Sequence, residues 1–187
     1  MGGADKGAVL FRGSRLIDHV FERLGRQCDR IIISGPCDYG LGAPFIEDLR
    51  GRLAKEDPAS EYIGGPARGV ASVARQLASD SCDADGFVTA PVDGPFLPPD
   101  LAARLTGETS AISADDDGPH PTFAYWRINA VNEAIEKIRK QRSLSLRRLA
   151  EMVGARMVAW PGDEYFANIN SPADLARHGR NHPPQTQ

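Results

Sequence analysis

Apolar residues along this chain fall into short continuous runs and into stripes with helical spacing. Residues 31–34 are a β-branched run of the kind that buried parallel strands show. Similar but weaker patterns predict strands over residues 110–114, 120–127 and 155–160. Because these strands are separated by amphipathic stretches, the pattern predicts an α/β fold with helices packed on a sheet.

The amphipathic stretches begin and end at recognisable cap residues. The first predicted helix runs from Ser14, an expected N-cap, to Gly25, an expected stop. The second begins at Pro66 inside the sequence GGPARG, and the last begins at Pro172, with Ser171 as its N-cap. The other predicted helices cover residues 45–53, 98–105, 131–138 and 146–153.

The rest of the chain is organised around residues 86–100, GFVTAPVDGPFLPPD. The apolar run stops at Asp93-Gly94, which predicts a buried parallel strand that ends in a carboxylate. Ligands of open α/β sheets bind beyond the carboxyl ends of the strands, so Asp93 could hold a metal-bound phosphate there. Asp-Gly is also a strong turn former, and a turn-shaping role is the simpler interpretation when this stretch is taken alone.

Composition limits the class of protein. With 187 residues, 41% of them hydrophobic, the chain can form one globular domain, predicted over residues 1–176 with a disordered tail over 177–187. A net charge of -3 argues against a dedicated nucleic-acid binder. Three irregularly spaced cysteines predict reduced thiols in a cytoplasmic protein, and no apolar run has membrane-spanning length.

Two amides precede the last predicted helix. Asn168 and Asn170 are two residues apart in an extended segment, so they can point to the same side and present two amides to one ligand. The alternative is that both residues only serve the turn.

Five pieces of the sequence occur together in the order and approximate spacing of one enzyme family. They are MGGADKG, GGPARG, APVDGPFLPPDLAARL, HPTFAYW and FANINSPADLA. In this arrangement the chain resembles the molybdenum cofactor guanylyltransferases over nearly its whole length. The resemblance implies a three-layer, Rossmann-like nucleotidyltransferase fold with a mostly parallel mixed sheet. It also implies transfer of GMP from GTP to the terminal phosphate of molybdopterin, with Mg²⁺ as cofactor and release of pyrophosphate.

The resemblance assigns roles to individual residues. Lys6 is similar to the catalytic lysine that meets the nucleotide phosphates, and Asp93 to the catalytic carboxylate that binds magnesium. Asp57 resembles an acidic residue that helps to hold the guanine nucleotide. Asn168 and Asn170 match the motif associated with the pterin substrate. Molybdopterin-synthesis proteins and recipient molybdoenzymes are the further partners that the family implies.

One part of the family pattern is not found in this sequence. The family has a strand and a glycine-rich phosphate loop before the MGG motif, so we expect upstream codons to encode roughly 15 to 25 further residues with these two elements. Two alternatives stay open: a catalytically idle nucleotide- or pterin-binding regulatory homologue, and a related nucleotidyltransferase with another base or phosphate acceptor.

Overall fold

The computed structural model describes residues 5–47, 63, 65–80, 83–138, 144–162 and 165–180. The strands are Leu10–Phe11 (β1), Ser14–Arg15 (β2), Ile33–Gly35 (β3), Phe45–Glu47 (β4), Gly86–Thr89 (β5), Ala111–Asp115 (β6), Gly118–Arg127 (β7) and Arg156–Ala159 (β8). The α-helices are Leu16–Gly25 (α1), Pro66–Ser79 (α2), Leu101–Leu105 (α3), Ile128–Lys137 (α4), Leu146–Met152 (α5) and Pro172–Arg180 (α6). None of the helices described is both long enough and apolar enough to cross a membrane.

The main sheet has four strands in the order β5-β7-β6-β8. Strands β5, β6 and β8 run in one direction and β7 runs against them, because β7 pairs antiparallel with β5 and β6 while β6 pairs parallel with β8. Strands β3 and β4 form a separate parallel pair, and β1 and β2 form a small hairpin. The predicted mixed sheet with mostly parallel strand directions is confirmed.

Helices cover both faces of the main sheet. On β7, Ala124 and Trp126 face one way and pack with the apolar residues of α2, α4 and α5. Phe123 and Tyr125 face the other way and pack with α3 and with Val20 of α1. This alternation follows from the two-residue period of a strand. The helix-sheet-helix arrangement confirms the predicted three layers.

The prediction of a buried parallel strand before Asp93 is wrong in two respects. Every residue of β5 is only half-buried, and its hydrogen-bonded neighbour β7 is antiparallel. The reason is that, within the described residues, β5 pairs along one edge alone. Its other edge faces a cleft that is also lined by residues 30–32, 34 and 35.

A bulge interrupts the hairpin of β6 and β7. Ile112 pairs with Ala124, but Ser113 pairs with His120, so Pro121, Thr122 and Phe123 bulge out of the ladder. Bulges of this kind re-aim side chains and are common beside active sites. Here the bulge brings Thr122 to the cleft that also reaches Asp93.

Two of the helix boundaries predicted at the start of the chain differ from the structure. Ser14 is not an N-cap, because it lies in β2 opposite Phe11, and α1 begins after Arg15, whose backbone N–H donates to Asp18. The helix predicted over residues 45–53 is wrong at its start, since residues 45–47 are β4 and pair with β3. Residues 48–53 lie outside the described part.

The predicted disordered tail begins too early. Residues 177–180 continue α6, where the carbonyl of His178 accepts a hydrogen bond from Arg12 and the His178 ring packs on Phe96 with the ring centroids 4.9 Å apart. These contacts tie the end of the helix to the body of the protein. Residues 181–187 are outside the described residues.

Candidate functional site

Asp93 lies in the turn that follows β5 and is almost fully buried, with 8% of its surface exposed. The next residue has to be glycine, because a Cβ at Gly94 would stand only 2.4 Å from the ring of Phe123. That close approach seats the turn directly on the bulged part of β7. The sequence Asp-Gly therefore shapes the turn and also fixes the carboxylate, so the two interpretations of Asp93 are compatible.

Lys6 begins a single turn of 3-10 helix, residues 6–8, whose N-cap is Asp5. The Asp5 carboxylate accepts a hydrogen bond from the backbone N–H of Gly7 at 3.0 Å and another from the Tyr39 hydroxyl at 2.7 Å. The Tyr39 ring also packs on Gly7 so closely that a Cβ there would lie 2.6 Å from it. Tyr39 thus clamps the turn that carries Lys6.

Asn168 and Asn170 flank Ile169, and the three residues alternate in exposure. Both amides are exposed, whereas Ile169 is fully buried beside Phe11, Leu16 and Phe96. The backbone N–H of Ile169 donates to the carbonyl of Asp93 at 2.8 Å. The asparagine segment is therefore attached directly to the Asp93 turn, with both amides on its open side.

Three of the predicted site residues meet at one point. The Lys6 ammonium donates to Asp93 Oδ2 at 2.8 Å and to Asn170 Oδ1 at 2.5 Å. These residues are 87 and 164 positions apart from Lys6 in the chain. The fold thus joins the residue expected at the phosphates, the expected metal ligand and one amide expected at the pterin.

The other predicted site residues are distributed less closely. Asn168 is exposed one residue before buried Ile169. Ser34 of β3, which was not among the predicted site residues, lines the same cleft as Asp93. Asp57 lies outside the residues that the structure describes, so its predicted role in nucleotide binding stays a prediction.

A cleft of about 450 Å³ separates β3 from β5 and ends at Asp93. Most of its lining is apolar, and residues such as Ile32, Val73 and Phe87 form its walls. Ser34, Thr122 and Asp93 are among its polar lining residues, and Arg30 adds a cation to the lining.

The contacts of His120 with Phe166 and Asp115 were not predicted from the sequence. The ring of His120 stacks on Phe166 with the centroids 4.9 Å apart, and its Nε2 lies 2.7 Å from the buried carboxylate of Asp115. That contact is close but lacks the alignment of a hydrogen bond. Phe166 in turn packs on Phe123 and Trp160. The motif HPTFAYW contained the histidine, but nothing local indicated its partner at position 166.

The donor atoms around Lys6 fit a magnesium ion. Two oxygens, one from the Asp93 carboxylate and one from the Asn170 amide, already converge on a cation, the Lys6 ammonium. A carboxylate such as that of Asp93 suits Mg²⁺, which keeps several waters and takes substrate phosphate oxygens as further ligands. Among the described residues no cluster of three or more acidic, histidine or cysteine side chains forms a complete metal cage. The arrangement therefore suits a metal that arrives with a nucleotide.

Comparisons with known proteins identify relatives of this chain. The pattern of the MobA-like NTP transferase domain matches residues 1–157. A molybdenum cofactor guanylyltransferase from Cereibacter sphaeroides is 36% identical over an alignment of 184 residues, which covers 95% of this chain and 88% of that protein. One from Yersinia pestis is 32% identical over 93% of this chain and 86% of its own length.

Solved structures agree on the fold. Molybdopterin-guanine dinucleotide biosynthesis protein A from Archaeoglobus fulgidus superposes with a TM-score of 0.64 at 22% identity, over 94% of this chain and 89% of that chain. The 2-C-methyl-D-erythritol 4-phosphate cytidylyltransferase from Thermus thermophilus gives 0.60 at 18% identity, over 92% and 91%. At these identities the likeness concerns the fold alone. Because the family model and the sequence relatives match over most of its length, the chain belongs to the molybdenum cofactor guanylyltransferase family of MobA-like NTP transferases.

Proposed function

We propose that this protein joins GMP from GTP to the terminal phosphate of molybdopterin. The observation that carries the proposal is the meeting of Lys6, Asp93 and Asn170 within hydrogen-bond distance. At this point a lysine and a nearly buried carboxylate can bind an anionic nucleotide, which is the donor. The exposed pair of amides beside them can bind a polar acceptor. The names of the sequence relatives support the choice of guanine and of the molybdenum cofactor.

The proposed reaction is an in-line displacement at the α-phosphorus of GTP. An oxygen of the molybdopterin phosphate forms the new bond, the bond to the bridging oxygen of the β-phosphate breaks, and pyrophosphate leaves with its electron pair. A phosphate monoester is largely dianionic at neutral pH, since its second pKa is about 6, so the nucleophile needs no strong base. The residues are needed for charge neutralisation and alignment.

Each residue has a defined task in this proposal. Lys6 neutralises phosphate oxygens of GTP, and the clamp of Asp5 and Tyr39 holds its backbone in place. Asp93 would hold Mg²⁺, which when bound stabilises negative charge on the triphosphate and on the departing pyrophosphate. Asn168 and Asn170, on the open side of their segment, would bind the pterin substrate. We further propose that the protein acts in the cytoplasm, where its free Cys28 and Cys37 would stay reduced.

The test is an assay of the purified chain with Mg²⁺, molybdopterin and each of GTP, CTP and ATP. We expect pyrophosphate release that requires both molybdopterin and GTP, with a product whose mass equals molybdopterin plus GMP. Binding of GTP without pyrophosphate release would support the idle, regulatory homologue instead. Faster turnover of CTP would keep the enzyme class and overturn the assignment of the base.

A further inference from the structure

Lys6 connects the nucleotide side and the acceptor side of the site through a single ammonium group. One hydrogen bond goes to Asp93, whose side chain is 12% exposed, and the other goes to Asn170, while the Lys6 side chain itself is 42% exposed. A carboxylate that is largely removed from water needs a compensating charge. Among the described residues, Lys6 is the cation that forms an ion pair with Asp93.

A metal ion and the Lys6 ammonium compete for the carboxylate oxygens of Asp93. A divalent cation at Asp93 carries twice the charge of the ammonium and would compete with it for the same oxygens. The phosphates of an incoming nucleotide offer the displaced ammonium new oxygen partners. The Asn170 side chain then loses the cation that it contacts now.

We propose that Lys6 is an exchangeable counter-ion: it neutralises Asp93 in the empty protein and moves to the phosphates when the metal nucleotide binds, which releases the Asn170 amide for the acceptor. This inference rests on the proposed function and adds a binding order, with the metal nucleotide first and the acceptor second. The backbone need not move. The N–H of Asn170 donates to Asp174 at 3.0 Å and that of Ile169 to the carbonyl of Asp93. Only the side chains of Lys6, Asp93 and Asn170 therefore change partners.

The exchange gives Lys6 opposite effects on the binding of free metal and on the binding of the metal nucleotide. Without nucleotide, the ammonium competes with a metal ion at Asp93 and weakens metal binding. With nucleotide, it pairs with the phosphates and strengthens binding of the metal complex. A lysine that only binds phosphate would show the second effect and not the first.

Manganese is a suitable probe, because free Mn²⁺ can be counted by its electron paramagnetic resonance signal. For the full chain with Lys6→Met we expect Mn²⁺ alone to bind roughly tenfold more tightly than to the unchanged protein, and Mn²⁺-GTP roughly tenfold more weakly, each about 1.4 kcal/mol. Lys137→Met on α4, where the lysine side chain is 73% exposed, is the matched control and should change neither. Asp93→Asn should weaken Mn²⁺ binding in both states.

Release of Asn170 is tested separately through its side-chain amide signals in ¹⁵N NMR spectra. Adding Mg²⁺ with a non-hydrolysable GTP analogue should shift the Asn170 signals, and the same signals in Lys6→Met should start near the shifted position. Melting curves establish that the variant is folded. Where melting shows Lys6→Met to be unfolded, Lys6→Gln takes its place with the same expectations.

The outcomes separate the two proposals. If Lys6→Met binds free Mn²⁺ no more tightly than the unchanged protein does, or if the Asn170 signals stay still at saturating nucleotide, counter-ion exchange is overturned while the proposed function stands. If the unchanged protein binds no Mn²⁺-GTP, the proposed function fails and this inference fails with it.

Discussion

The backbone N–H of Ile169 donates to the carbonyl oxygen of Asp93 at 2.8 Å, which joins the two segments that carry the candidate site. The Ile169 side chain is fully buried against Phe11, Leu16 and Phe96. The position of both asparagine amides relative to the Asp93 carboxylate is thereby set by one main-chain hydrogen bond and one buried side chain.

Ile169→Ala should therefore damage stability and the site together. Truncating a fully buried isoleucine costs roughly 2 to 5 kcal/mol. We expect a lower urea midpoint and, in the fraction that remains folded, a raised KM for the acceptor. Leu10→Ala is the control, since Leu10 is 67% exposed and its truncation should leave both quantities nearly unchanged.

Asp93→Ala should abolish transfer and leave the fold intact. Removing one group that stabilises charge in a transition state typically costs about a hundredfold or more in kcat. Pyrophosphate release measures the loss, and circular dichroism measures the fold. Asp116→Ala in the exposed turn between β6 and β7 is the matched control. Transfer near the normal rate in Asp93→Ala would remove the metal role from this residue.

Asn168→Ala should impair use of the pterin substrate and spare GTP. The Asn168 amide is exposed, and the Lys6 ammonium contacts the amide of Asn170. We expect a higher KM for molybdopterin with unchanged GTP affinity by titration calorimetry. Asn170→Ala should also affect GTP, through Lys6. Equal weakening of both ligands by Asn168→Ala would contradict its assignment.

His120→Ala should act on the acceptor through Phe166. Without the stacked ring, Phe166 loses one of the aromatic surfaces that hold the chain just before Asn168. We expect a raised KM for molybdopterin with little change in kcat. His120→Phe keeps the ring and removes the contact with Asp115, so a largely restored KM identifies the stack as the positioning element. An unrestored KM would assign that role to the contact with Asp115.

Tyr39→Phe should loosen the turn that carries Lys6, because it removes the hydrogen bond to Asp5. A single such bond contributes about 1 kcal/mol. The variant should melt at a lower temperature at pH 8 and bind GTP more weakly. Burial and the hydrogen bond to Asp5 raise the pKa of the Tyr39 phenol above its ordinary value.

The folded protein therefore holds this proton more tightly than the unfolded chain, in which a tyrosine ionises near pH 10. The resulting stability is fully present below pH 10 and is lost as the pH rises above it. The difference in melting temperature between the unchanged protein and Tyr39→Phe should accordingly shrink from pH 8 to pH 11. A difference that grows with pH would show that the phenol is not held in its neutral form.

The sequence was sufficient for elements whose signal is local. The Pro66 and Pro172 helix starts and the strands β6, β7 and β8 follow from cap residues and apolar spacing, and the structure has them. Asp93 and the asparagines were found from the end of an apolar run and from their spacing, and the family motifs added Lys6. The clamp of Asp5 by Tyr39 and the stack of His120 on Phe166 were not predicted, because each joins positions more than 30 residues apart. Residues 45–47 were predicted as a helix because strand formation there depends on pairing with β3.

The cleft between β3 and β5 separates the β3–β4 pair from the main sheet, and the two should open to solvent independently. The β3–β4 pair has only three residues in each strand and adjoins helix α2, where Ile32 and Ile46 pack beside Val73 and Leu77. Short elements with few buried contacts have low free energies of local opening. In native-state hydrogen exchange the amides of β3 should therefore exchange well before those of β7. A ligand that spans from Ser34 to Asp93 would tie the two parts together, and the slowing of β3 exchange would report its binding without any assay of turnover.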